Sequence, residues 1–170
     1  MEQNQKRGFV VTDDLLATQG QRLGNYFIDL IFQYALIFIL SIIVGIIFAL
    51  LGINIFEKWT ANIGKIEEYL IGIIITLFYY SIAETYFSRT IGKLITKTIV
   101  VDIYGEKPSS EEILKRTFCR LIPFNHFSFL GGNARGWHDS LSNTYVVKKE
   151  LLEAKRNQFY ELDEIGKSQE

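Results

Sequence analysis

Two long uncharged runs, followed by short β-branched and capped segments, predict an all-α membrane protein. It would have two transmembrane helices, a short re-entrant or interfacial apolar segment, and a small cytoplasmic strand/helix element. Of the 170 residues, 48% are hydrophobic and 22% charged, and the apolar ones are concentrated. Between Arg22 and Glu57 the only charge is Asp29; between Glu68 and Arg89 it is Glu84. The 18 basic and 19 acidic residues nearly cancel, so bulk charge gives no sign of a nucleic-acid partner. Abundant Phe, Ile, Leu and Tyr argue against disorder. Cys119 is the single cysteine, which permits no internal disulfide and supplies no metal-ligand spacing.

Residues 30–56 carry no charge, and Gln33, Ser41 and Asn54 are the only strongly polar interruptions. About 20 helical residues cross a ~30 Å hydrocarbon layer, so this run spans with tilt. Residues 69–88 form the second run, with Glu84 near its end. A signal peptide is the competing reading of the first run. The run's length, Asp13 and Asp14 upstream, and the lack of a small-residue cleavage pattern argue against it. The expected organisation is a cytoplasmic segment at 1–20, a membrane domain at 21–148 with spans near 26–52 and 69–88, and a cytoplasmic tail at 149–170.

Basic residues set the expected orientation. Lys6, Arg7 and Arg22 precede the first span, and Arg89, Lys93, Lys97 and Lys107 follow the second. The link holds only Lys58 and Lys65, beside Glu57, Glu67 and Glu68. Both termini are therefore expected in the cytoplasm, with Trp59 and Tyr69 at the outer interface and Tyr26 and Tyr86 near the inner one.

The apolar stretch at 121–130, LIPFNHFSFL, is too short to cross, because ten helical residues reach ~15 Å and Pro123 interrupts them. It is either re-entrant, or interfacial with Phe124, Phe127 and Phe129 inserted, or a loop packed on the cytoplasmic part. TIVVDIY at 98–104 reads as a strand ending in a turn at Gly105, and TYVV at 144–147 could pair with it. Ser109 and Glu112 have capping-box spacing for a following helix, whose Ile113, Leu114, Phe118 and Leu121 lie among Lys115, Arg116 and Arg120. That helix suits an anionic leaflet, or packs on the protein with its bases solvated. Residues 150–167 read as a polar tail helix.

The residues that break the hydrophobic runs are the candidate site. Arg22, Asn25, Asp29 and Gln33 are spaced to share one helical face, and Thr76, Tyr80, Glu84 and Ser88 repeat every four residues on the second span. Asp29 would lie about two turns, and Glu84 about one turn, from the cytoplasmic end. A charge at the bilayer centre costs ~2.5–3.5 kcal/mol on insertion scales, so the stripes are expected to face each other or a wet cavity. Ser41, Gly45 and Ala49 add small residues for close helix approach. Two accounts of the polar seam stay open: Asp29 or Glu84 exchanges a proton or cation, or Arg22 or a basic residue from the cytoplasmic part pairs with them permanently. His126, His138 and Cys119 lack zinc spacing, and His138-Asp139 is only superficially a catalytic pair. The glycines at 131, 132 and 136 read as turns, and no nucleophile elbow or dinucleotide fingerprint occurs. No enzyme, cofactor or metal is expected.

RLGNYFIDLIF at 22–32, YYSIAETYFSRTIGKLITKTIVVDIYG at 79–105, FCRLIP at 118–123 and GWHDSLSNTYVV at 136–147 resemble, in order and spacing, the RDD family of bacterial membrane proteins. The resemblance covers residues 20–148. It matches the family's arginine to Arg22, its first aspartate to Asp29 and its second to Asp139, with Asp102 the alternative. Members carry a longer third apolar segment than LIPFNHFSFLGG, in line with the length argument against a third crossing. The resemblance implies the bacterial inner membrane and a part in transport of small ions or solutes, with cation/proton exchange proposed for some relatives. Other relatives look like accessory subunits of membrane assemblies. Two spans cannot enclose a pathway, so a homo-oligomer or a membrane partner is expected. The rival reading is a non-transporting scaffold or lipid-binding membrane protein.

Overall fold

The structure is a computed structural model that describes residues 8–130 and 135–167. Helix α1 (Gln19–Leu50) starts well before the uncharged run, because Thr18 caps it. The Thr18 hydroxyl accepts from the Gln21 N–H at 3.2 Å, and the Gln21 side chain accepts from the Thr18 N–H at 3.0 Å. A short helix α2 (Ile55–Asn62), not foreseen in the link, leads to α3 (Lys65–Phe87). At ~1.5 Å per residue, α1 is about 48 Å long and α3 about 35 Å, both enough for a ~30 Å layer. Their apolar side chains point outward: Ile31 is 69% exposed and Leu50 82%. A core helix of a water-soluble protein hides such residues. Of the small stripe of α1, Gly45 packs against α2, while Ser41 and Ala49 are exposed. Gly45 faces the Phe56 ring, where an added Cβ would come 3.7 Å from the ring edge.

Helix α3 ends at Ser88 in the left-handed conformation (φ 55°), which turns the chain into α4 (Ile91–Ile95). Strand β1 (Thr98–Val101) follows and pairs antiparallel with β2 (Tyr145–Lys148), Thr98 opposite Lys148 and Val101 opposite Tyr145. The two predicted strands thus form the sheet. The chain before α1 lies along it: the Ala17 N–H donates to the Val146 carbonyl at 2.9 Å. Phe9, Val11, Leu15, Val101, Val147 and Leu152 form one apolar core, and Ala17, Val100, Ile113 and Val146 form the second. Asp102 closes the turn after β1 by accepting from the N–H groups of Tyr104 and Glu106 at 2.9 and 2.8 Å, which makes it a turn residue rather than part of the polar seam.

Helix α5 (Ser110–Cys119) has the expected capping box. A 3₁₀ segment (Asn125–Leu130), α6 (Trp137–Leu141) and α7 (Lys149–Lys167) complete the described chain. In the stretch expected to be re-entrant or interfacial, Phe129 is buried while Phe124 and Phe127 are exposed. The predicted turn at residues 131 and 132 lies outside the described residues.

Candidate functional site

The polar face of α1 is the floor of the site. Arg22, Asn25, Asp29 and Gln33 are all buried, as their spacing requires. The stripe on α3 faces them. The Thr76 hydroxyl donates to Gln33 Oε1 at 3.0 Å, and Tyr80, Glu84 and Ser88 are buried. Ser88 acts through its backbone, its carbonyl accepting from the Val100 N–H at 2.8 Å.

Asp29 and Glu84 do not share partners. Asp29 accepts from the Thr90 hydroxyl at 2.6 Å, the Gly92 N–H at 2.8 Å and the Tyr79 hydroxyl at 2.8 Å. These donors are neutral, and among the described residues no cation makes an ion pair with Asp29. The turn into α4 aims them: Thr90 caps α4, and Gly92 lies so close to α1 that a Cβ there would sit 2.4 Å from the Asn25 carbonyl oxygen. Asn25 fastens the same junction, its amide lying 2.5 Å from the Thr96 hydroxyl and 3.1 Å from that of Thr98.

Glu84 is surrounded by cations. Lys93 Nζ is 2.8 Å from Oε1, Arg120 Nη2 is 2.6 Å from Oε1, and Arg116 Nε is 3.1 Å from Oε2. Arg120 also lies over the Tyr80 ring, 3.9 Å from its centroid. Burial pulls the Lys93 ammonium below the ordinary lysine value, and Glu84 opposes that pull. The idea that α5 offers its bases to solvent or lipid is thereby corrected. Only Lys115 does so, in an exposed pair with Glu111 at 2.6 Å, while Arg116 and Arg120, four apart, turn inward.

Asp139 is the second anionic centre. Arg22 and Arg116 both donate to it, as does the Gly136 N–H at 2.9 Å. Of the bases expected to neutralise an intramembrane carboxylate, Arg22 does not, since its ion-pair partner is Asp139, whereas residues beyond the second span do: the bases on Glu84 come from α4 and α5. Burial favours the neutral Asp139 acid, yet Arg116 and Arg22 hold its carboxyl well below the usual range. Arg116 bridges Glu84 and Asp139 and also donates to the Thr144 hydroxyl at 2.8 Å. His138 lies alongside, its Nδ1 3.1 Å from Asn125 Oδ1. Burial, aided by Arg116, Arg120 and Arg22, holds its imidazole well below the ordinary value.

The network lines a half-open cavity of about 40 Å³ whose polar lining includes Arg22, Asn25, Asp29, Lys93, Arg116 and Arg120. Tyr26, Tyr80, Phe129 and Val146 supply its less polar walls. Sequence patterning identified both stripes, and the resemblance pointed to Asp139. Patterning missed Tyr79, Thr90, Gly92, Lys93, Arg116 and Arg120; the spacing of the two arginines was the one available signal. No set of three His, Cys, Asp or Glu residues suited to a metal occurs among the described residues.

In comparison with known proteins, the RDD family model matches residues 16–143. No curated protein and no solved structure matches the chain.

Proposed function

We propose, from the premise that this chain belongs to the RDD family, that this integral membrane protein takes part in moving a small ion or solute, with Asp29 taking up and releasing a proton. The observation that carries the reading is the contrast between the carboxylates. Protonating Glu84 or Asp139 strands buried guanidinium groups, which is costly. Protonating Asp29 disturbs only two hydroxyls and one backbone N–H. Arg22 and Lys93 border the same cavity, so a proton suits Asp29 better than a metal cation does. In this scheme Glu84, Arg22 and Asp139 hold α1, α3 and the polar lobe (α4, the two-stranded sheet, α5, the 3₁₀ segment and α6) together, and cation exchange in the strict sense requires a cation site elsewhere.

Two spans enclose no pathway, so the reading includes an oligomer or a membrane partner. The basic residues flanking the spans support both termini on the cytoplasmic side of a bacterial inner membrane. The test uses proteoliposomes holding a pH-sensitive dye, with sodium, potassium and chloride gradients imposed in turn. Proton flux coupled to one gradient, abolished in Asp29→Asn, supports the reading. No coupled flux, or flux unchanged in Asp29→Asn, ends it.

A second reading, a non-transporting lipid-binding or scaffold protein, draws on a separate observation. Phe118, Leu121, Phe124 and Phe127 are exposed on the polar lobe, and Phe124 is 80% exposed. Such a face suits an interfacial seat against lipid. Lipid retained in native mass spectra, without coupled flux, favours this reading.

A further inference from the structure

The buried charges of the polar network do not balance. Among the described residues Arg22, Lys93, Arg116 and Arg120 are buried cations, while Asp29, Glu84 and Asp139 are the buried carboxylates. Four against three leaves one positive charge in excess. Glu84 and Asp139 are absent from the cavity lining and are taken up by the ion pairs behind it, whereas all four cations contribute to that lining. Asp29 is the one carboxylate on the wall, and its oxygens already accept three hydrogen bonds.

Unspent donors belong to the same side chains. Nε and Nη2 of Arg22 and Nη1 of Arg120 are buried and without a hydrogen-bond partner in the protein, although these residues are only 5% and 7% exposed. Buried guanidinium N–H groups left unpaired are expensive. Water in the cavity does not cancel the surplus charge, and Tyr80, Phe129 and Val146 lower the dielectric on the walls they form. The cavity holds about 40 Å³ where one water needs about 10–15 Å³, so a single ion fits with a water or two.

We infer that this cavity binds one small monovalent inorganic anion of chloride's size and charge, held by Arg22 and Arg120 and flanked by Lys93 and Arg116. The inference goes beyond transport: a protein that moves nothing can still hold a structural halide. The anion also ties the ends of α1, α4 and α5 to one centre, so its binding stabilises the fold by mass action.

The test takes the full chain in a non-ionic detergent at fixed pH, starting from sodium gluconate and exchanging in sodium chloride or bromide at constant ionic strength. The expected result is a saturable rise in Tm with either halide, together with excess ³⁵Cl line width that bromide competes away. Arg120→Lys keeps a charge for Glu84 but loses the free Nη1 donor, and it should raise the half-saturating halide concentration about tenfold. A Tm that rises without saturating, a wild-type protein that leaves the ³⁵Cl line unbroadened, or an Arg120→Lys curve superimposable on wild type overturns the proposal. So does a response confined to inorganic phosphate or to phosphatidylglycerol micelles. The line-width measurement needs no variant, so a poorly folding Arg120→Lys does not block the decision. Failure of the Asp29→Asn flux assay leaves it untouched.

Discussion

Arg22, in the first turns of the first long helix, and Asp139, on a five-residue helix far along the chain, form a buried ion pair. The contact joins the membrane helix directly to the segment before the second strand. Arg116 joins from the other side, so Asp139 serves two guanidinium groups at once.

Removing Asp139 should therefore be among the most damaging single changes. Breaking a buried pair from one side costs about 3–5 kcal/mol, because the partner stays charged and buried. Asp139→Asn strands Arg22 and leaves Arg116 with Glu84 alone, whereas Arg22→Gln leaves Asp139 with Arg116. Denaturant unfolding in mild detergent should show the larger loss for Asp139→Asn, with Arg22→Gln/Asp139→Asn less damaged than the sum of the single changes.

Acid should weaken the polar lobe in two steps. His138 is held neutral in the folded protein and protonates in the unfolded chain near its ordinary value of 6.5, so the unfolded state binds more protons and stability falls as pH drops below 6.5. Asp139 stays ionised when folded, so its contribution is complete above 3.8 and is lost as pH falls further, toward its depressed folded value. Thermal melts across that range should show both declines, and His138→Gln should remove the first while keeping the second.

Gly92 should tolerate no side chain. An added Cβ lands 2.4 Å from the Asn25 carbonyl oxygen and 2.9 Å from its Cα, and a backbone pair cannot swing aside. Gly92→Ala should push α4 off α1, stretch the N–H bond to Asp29 and cost about 1–3 kcal/mol, as overpacking does. A Tm series in which Gly92→Ala matches wild type would contradict this close approach.

If the exposed face of the polar lobe rests on the bilayer, a reporter on it will sense acyl chains. Tryptophan fluorescence of Phe124→Trp, with Trp59 and Trp137 replaced by Phe, should be quenched strongly by lipids brominated near the headgroup. Lipids brominated at the chain ends should quench it weakly, as for an interfacial depth. Equal, weak quenching by both would leave Phe124 in water.

What the sequence made legible follows from what is periodic. Residues 22, 25, 29 and 33 sit on one face of any α-helix, and a polar face inside an apolar run has to turn away from lipid. The β-branched pattern of each strand and the Ser109 cap were equally local signals. The identity of each partner was not local. Lys93 counted as one of several positive charges beyond a span, and Arg116 and Arg120 as ordinary helix bases, because nothing within a few residues of them records that Glu84 lies across a helix interface. Gly92 gave no sign either, since its role is a backbone approach to α1 that only the folded turn creates. The helix Ile55–Asn62 has eight residues and no side-chain cap, so no local signal announces it.

The bases that satisfy Glu84 all follow it in the chain, at 93, 116 and 120. Synthesis runs in that order, so the second span is delivered to the translocon with its acid uncompensated, and the answering arginines leave the ribosome only later. Nascent chains arrested before residue 116 should thus hold the hairpin loosely, and firm seating in the bilayer becomes a late event that waits on α5 to be translated.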